Sequence, residues 1–196
     1  MKIKYLGYTS FLMSLDSVDL ITDPELSQKN GVKLKGVGAD IVVSTDNTDT
    51  TTIEGKNRKD AFVISKSGEY EVSGLLIQKG IDNSYYTIDS DFIRVMYVGY
   101  GSKNLDIKSL KDVGDVDVLL LPIGGGDNFP DYDLLEKIVS EVDPIKLIPF
   151  AYGGDLKSLD EFVKHFGYNI TEESYIKVDS APEQEDRKMD VIVLKS

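Results

Sequence analysis

Residues 117–126 read Asp117-Val118-Leu119-Leu120-Leu121-Pro122-Ile123-Gly124-Gly125-Gly126, an apolar run halted by three glycines. A strand that is apolar on both faces is buried on both, which places it in the interior of a layered sheet. The residues that follow supply a cover for one face. Leu134, Leu135, Ile138, Val139 and Val142 carry the i, i+1, i+4, i+5, i+8 stripe of an amphipathic helix, stopped by Asp143-Pro144. Residues 146–150 form the next strand. Ser158 and Glu161 make a capping box that opens a second helix, whose apolar stripe is Leu159, Phe162, Val163 and Phe166 and whose end is Gly167. Residues 181–188 read as a polar loop and 189–194 as a closing strand.

Toward the N-terminus the rhythm changes to short strands separated by turn residues. Residues 2–6, 11–15 and 18–22 are strands, the last ended by Asp23-Pro24, where proline stops pairing. Residues 26–38 read as a loop. Residues 40–44 (Asp-Ile-Val-Val-Ser) form a buried strand that runs at once into the polar stretch 45–52. Further strands cover 61–65, 75–79, 85–89 and 92–98, with Gly68 and Gly74 bracketing a hairpin turn. A strand-rich, mostly antiparallel half followed by strand–helix alternation is an α/β layered fold, and no linker or repeat divides residues 1–196. We expect one domain.

The composition removes whole classes of chemistry. The chain of 196 residues has no cysteine, one histidine and a net charge of −12. Disulfide, thiolate and iron–sulfur chemistry are excluded, and only His165 can offer a nitrogen to zinc. On its helix His165 lies about 110° from the centre of the apolar stripe, at its solvated boundary. The negative charge repels polyanions, so neither nucleic acid nor an anionic membrane is expected as a partner; Lys33 and Lys35 are too few to form a basic patch. No run approaches the ~18 apolar residues of a membrane span, and the alternating start is unlike a signal peptide, so we expect a cytoplasmic protein. Gly124, Gly125 and Gly126 lack the Lys-Ser/Thr of a phosphate-binding loop and read as a turn. Ser10 and Ser44 have no histidine base to activate them.

Several segments, in order, resemble the metallo-β-lactamase superfamily, in particular its small bacterial branch of metal-dependent hydrolases related to ascorbate-phosphate lactonases. Residues 7–11 (Gly-Tyr-Thr-Ser-Phe) stand where that branch writes G-H-S-C-F, and Ile21-Thr22-Asp23-Pro24 resembles its I-D-P turn. Residues 43–50 (Val-Ser-Thr-Asp-Asn-Thr-Asp-Thr) fall at V-S-H-D-H-x-D-H. Residues 68–74 are similar to its G-E-Y-E-V-x-G hairpin, and Tyr97-Val98-Gly99-Tyr100 lies at H-x-G-D. Residues 114–125 match G-D-V-D-V-L-L-L-P-V-G-G almost letter for letter, and residues 148–152 lie at I-P-M-H-Y. The resemblance implies an αββα sandwich in which imidazoles and carboxylates at strand ends hold zinc or another divalent metal that activates water.

The same correspondence implies that the ancestral metal set is gone. Histidine positions are held by Tyr8, Thr45, Asn47, Thr50 and Ala151, and the later bridging aspartate by Tyr100, while Asp46 and Asp49 keep their carboxylates. Residues that shape the backbone (Gly7, Phe11, Asp23, Pro24, Gly99, Pro122) remain. The favoured expectation is a pseudoenzyme: a fold kept without metal or catalysis, binding an unknown ligand or protein, with homo-oligomerisation inferred from the relatives alone. Tyr8, Tyr97 and Tyr100 either fill the vacated pocket or wall it for a ligand. The alternative is a hydrolase of a phosphoester, lactone or amide, in which Asp46 and Asp49 hold Ca²⁺ or Mg²⁺ and Thr45, Asn47 or Tyr100 orient water. A structural reading of Asp46 and Asp49 stands beside it, in which they cap the loop through backbone amides.

Overall fold

The computed structural model describes residues 1–15, 17–81, 84–90, 92–179 and 188–196. Two sheets lie face to face. The first contains β1 (Lys2–Gly7), β2 (Ser10–Ser14), β3 (Asp19–Thr22), β4 (Ile41–Val43), β5 (Phe62–Ile64) and a short β13 (Ile176–Lys177), in the order β13-β1-β2-β3-β4-β5. The second contains β6 (Gly68–Val72), β7 (Leu75–Lys79), β8 (Tyr85–Ser90), β9 (Ile93–Val98), β10 (Val118–Pro122), β11 (Lys146–Phe150), β12 (Ile170–Glu173) and β14 (Asp190–Leu194), in the order β12-β14-β11-β10-β9-β8-β7-β6. Helices α2 (Tyr132–Val142) and α3 (Leu159–Phe166) contribute to the cluster on the outer face of the second sheet, and the outer face of the first packs against loop residues beyond α1 (Pro24–Lys29). This is the αββα sandwich, and the helix of its first half, α1, has only six residues.

Alternation along the strands assigns the layers. Val118 and Leu120 of β10 join Phe11, Met13, Leu20 and Val43 of the first sheet in the core between the sheets. Leu119 and Leu121 point the other way, onto Leu135, Ile138 and Phe162 of the helices. The both-faces reading of residues 117–122 therefore holds because each face meets a different layer. The capping box of α3 is present, with Ser158 Oγ accepting from Glu161 N at 3.2 Å and Glu161 accepting from Ser158 N at 2.7 Å. Ser158→Ala should lower the melting temperature by about 2–4 °C, read by calorimetry, since such a cap is worth about 1 kcal/mol.

Local differences from the sequence reading have physical causes. Residues 68–72 are a full strand rather than part of a turn: β6 and β7 form the hairpin and the reversal is confined to Ser73 and Gly74, both in left-handed backbone. Part of the expected loop 26–38 is helical, because Pro24 starts α1 and Ser27 anchors it from within: Ser27 Oγ accepts from Thr9 N at 3.1 Å. Pairs β3–β4 and β4–β5 are parallel in an otherwise antiparallel first half. The expected loop over 181–188 lies outside the described residues except at Lys188.

Candidate functional site

At one end of the sandwich lie the C-terminal ends of β3, β4, β9 and β11, and there several of the residues singled out in the sequence come together. Asp23 follows β3 in left-handed backbone (φ 39°) and precedes Pro24. A residue at the start of a helix usually turns its side chain onto the first helical amides. Asp23 does not. Its Oδ1 accepts from Thr45 N at 2.6 Å, and its Oδ2 accepts from Thr45 Oγ1 and from the Tyr97 hydroxyl, each at 2.5 Å. Thr45 Oγ1 in turn accepts from Tyr100 N at 2.8 Å, and the Tyr97 hydroxyl also lies 3.0 Å from the Thr9 carbonyl oxygen.

These groups are buried together, with Tyr97 and Thr45 from opposite sheets closing on one carboxyl. Burial pushes the Asp23 pKa up to about 6, against the pull of the Thr45 and Tyr97 hydrogen bonds and with a further push from Asp46. Burial likewise drives the Tyr97 phenol well above its ordinary value, reinforced by the Asp23 charge, so it is a hydrogen-bond donor and not a base.

A second polar seam runs beside the first. Lys79, the last residue of β7, is buried, and its ammonium donates to the carbonyl oxygens of Ser65 (2.7 Å) and Ser44 (2.8 Å) and to Asn47 Oδ1 (3.1 Å). Burial brings its pKa down to about 8, opposed by Asp23 and Asp46. The Tyr86 hydroxyl of β8 reaches the carbonyl oxygens of Ile64 (2.6 Å) and Ser44 (2.8 Å). Both side chains rise from the second sheet and bond to backbone at the ends of β4 and β5 in the first.

The remaining predicted residues divide. Asp46 Oδ1 accepts from Ser44 Oγ at 2.7 Å and from Thr48 N at 3.0 Å, a turn closed by its own side chain, and these bonds hold its carboxyl below the usual range against the opposing effect of burial. Asp49 and Thr50 are exposed further along the loop. Tyr8 and Tyr100 are partly buried and stand edge-on to Phe129, each with ring centroids 6.1 Å away. Ala151 is buried in left-handed backbone (φ 49°) and belongs to the core cluster against which both tyrosines pack. Tyr97 stacks on Phe150 at 5.6 Å, which joins the rings at the strand ends to the core. His165 sits elsewhere, on α3, against the Tyr132 ring at 4.5 Å and 3.4 Å from Glu136.

Sequence reasoning valued Asp23 for its backbone and passed over Lys79 and Tyr86. A signal for Lys79 was present: Leu75 and Ile77 set the inward face of β7, and position 79 continues it, so a lysine occurs where the pattern demands an apolar residue.

Zinc, the metal that the sequence resemblance implies, does not fit this donor set. Thr45 Oγ1 and Asn47 Oδ1 are engaged within the protein and Ala151 has no donor atom. Among the described residues no group of three His, Cys, Asp or Glu side chains is placed to share an ion. Nor is any helix among them long and apolar enough to cross a membrane.

Two sheets with helices outside them, and a polar site where strands of both sheets end, define the class of metallo-β-lactamase-like folds. Residues 2–151 match the family model of the beta-lactamase superfamily domain, and the chain belongs to that family. In the solved structures it is similar to a candidate zinc-dependent hydrolase of the metallo-β-lactamase superfamily from Thermotoga maritima, at 23% identity and TM-score 0.75, with 99% of this chain and 100% of that one covered. It is similar to a candidate metal-dependent hydrolase from Parabacteroides distasonis (15% identity, TM-score 0.63, 98% and 93% covered). It also resembles the metallo-β-lactamase fold protein YhfI from Bacillus subtilis (12%, 0.61, 100% and 96%). No curated protein matches the chain. At these identities the likeness is one of fold.

Proposed function

We propose that this chain, taken as one domain over residues 1–196, is a metal-free member of its superfamily that serves in the cytoplasm as a binding or assembly module rather than a hydrolase. The observation that carries this reading is the use to which the ligand positions are put. Thr45 binds Asp23 and Tyr100, Asn47 accepts from Lys79, Ala151 offers a methyl group, and Tyr8 and Tyr100 close on Phe129. A water-activating metal needs several donors free to converge on one point. Here Thr45 and Asn47 are engaged by Asp23, Tyr100 N and Lys79, and Asp49 and Thr50 lie exposed further along the loop. The site has become part of the packing.

The test is elemental analysis of chelator-treated protein for Zn, Mn, Fe, Mg and Ca, on the native chain and on Asp46→Ala/Asp49→Ala, with a turnover screen of phosphoesters, lactones and amides. Background metal in both and no turnover is the expected result. Near-stoichiometric metal that the double substitution removes, together with hydrolysis of any of these substrates, overturns the reading in favour of an oxygen-ligand hydrolase.

A further inference from the structure

A cation bound at a strand-end site does two jobs: it can activate water, and it holds together loops from two sheets. The first job needs an open coordination position, the second only positive charge within reach of oxygen atoms. At the end of β7 this chain has an ammonium group set among three oxygens of the opposite sheet. Lys79 Nζ reaches Ser44 O and Ser65 O, which follow β4 and β5, and Asn47 Oδ1, which stands at a histidine position of the family resemblance. Three hydrogens meet three acceptors, so the ammonium is fully satisfied without solvent. The Tyr86 ring lies 5.3 Å from Nζ, adding a π face to the same cage.

We propose that the Lys79 ammonium is a built-in cation that performs the loop-tying work of a metal ion in this fold, fastening the 44–47 segment of the first sheet to β7 of the second. The inference deepens the metal-free reading above and rests on it, yet it concerns structure rather than turnover. An apolar residue at 79, as the strand pattern asks, would pack in the same layer but leave the oxygens of Ser44, Ser65 and Asn47 without this donor. Tyr86 covers only part of the loss, because its single hydroxyl hydrogen is already shared between the Ser44 and Ile64 carbonyls. A lysine buried for packing alone would have no reason to end on three acceptors from two different loops.

The experiment is native-state hydrogen exchange on chelator-treated protein, comparing Lys79→Met, Lys79→Arg and, as a control, exposed Lys66→Met. In Lys79→Met the amides of Thr45 and Thr48 should exchange about 100-fold faster, with a melting temperature lower by about 10 °C, while Lys66→Met leaves both unchanged. Lys79→Arg keeps the charge and should recover at least half of the lost protection. If Lys79→Met fails to fold, Lys79→Arg alone decides: protection at 45 and 48 close to the native chain supports the proposal, and protection lost as in a global opening overturns it. Exchange at residues 44–48 that is unchanged in Lys79→Met, or equal loss in the Met and Arg variants, also overturns it. These readouts do not depend on metal content or turnover, so a hydrolase revealed by the screen above would sink the functional reading and leave this one to stand or fall on its own.

Discussion

Asp23→Ala is expected to lower the melting temperature at pH 7 by about 10 °C, and by more at pH 5. Three donors end on this carboxyl, namely Thr45 N, Thr45 Oγ1 and the Tyr97 hydroxyl. Asp23→Ala takes away the acceptor of the buried Thr45 N, and a buried donor stripped of its acceptor costs about 1–3 kcal/mol. The void left by the carboxyl adds to this, and about 3 kcal/mol corresponds to about 10 °C in a chain of this size.

The pH dependence separates this account from simple loss of packing. The folded-state pKa of about 6 lies above the ordinary 3.8, so the folded protein holds the proton more tightly than the unfolded chain. Stability from this group is therefore present in full below about pH 4 and is lost as the pH rises through 6, by about 3 kcal/mol for a shift of about two units. Asp40 and Asp46 are shifted the opposite way, their carboxyls held low by backbone and side-chain hydrogen bonds against the opposing effect of burial, so their stabilisation falls as the pH is lowered. The two trends overlap in a melting curve of the native protein alone. The Asp40 and Asp46 trend cancels in the difference between the native chain and Asp23→Asn, which keeps the volume and loses the ionisation, and the Asp23 trend remains. That difference should change steeply between about pH 4 and pH 6 and be flat above 7. A difference independent of pH would mean that Asp23 is not the titrating group.

How much of this was legible in the sequence follows from which interactions are local. Residues 118–122 and the stripes of α2 and α3 were readable because each element carries its own periodicity and stop signal: Asp143 and Gly167 take the left-handed conformations that end the two helices. Strands β12 and β13 carry mostly polar side chains and were not readable, since they exist by pairing with β14 and β1 rather than by pattern. Helix α1 is too short for its stripe to register. At the site, family correspondence located Tyr8, Thr45, Asn47, Tyr100 and Ala151, and the structure gathers them with the ends of β3, β4, β9 and β11. What each now does was not readable, because the Asp23–Thr45–Tyr97 and Lys79–Asn47 contacts join residues 22 to 74 positions apart.

The backbone at this end retains a cost that packing alone would not select. Among the described residues, six non-glycine residues occupy left-handed backbone, and four of them, Tyr8, Asp23, Asn47 and Ala151, lie at the site. Such conformations cost about 1 kcal/mol or more and persist where surrounding contacts enforce them. In a metal-holding relative the ion would be one such contact. Here hydrogen bonds hold three of the four: the Tyr5 hydroxyl donates to the Tyr8 carbonyl oxygen at 3.0 Å, and Asp23 and Asn47 are bonded to Thr45 and Lys79. The loops are bent toward a common centre and held there by the side chains of the protein itself.

Gly99→Ala tests that shape directly and should be nearly as damaging as the loss of Asp23. A Cβ at position 99 would fall inside the Thr45 side chain, against its Cβ, Oγ1 and Cγ2. Thr45 cannot swing aside without breaking its bonds to Asp23 and Tyr100 N, and Gly99 N is itself fixed to the Ser84 carbonyl oxygen at 2.8 Å. Both elements are thus held, and the clash must be relieved by separating the two sheets at this end. A cost of about 3 kcal/mol, or about 10 °C, is expected for overpacking of this kind. The second substitution Thr45→Gly removes the obstructing atoms. On its own it should destabilise through loss of the hydroxyl, but combined with Gly99→Ala it should cost clearly less than the two single effects added together, with a coupling of about 1–2 kcal/mol in urea titrations. Strict additivity would mean that the β9 end and the 45 loop do not touch, and the seam between the sheets would have to be redrawn. A favourable coupling would show that position 99 needs a glycine because the Thr45 side chain, bonded to Asp23, passes directly over it.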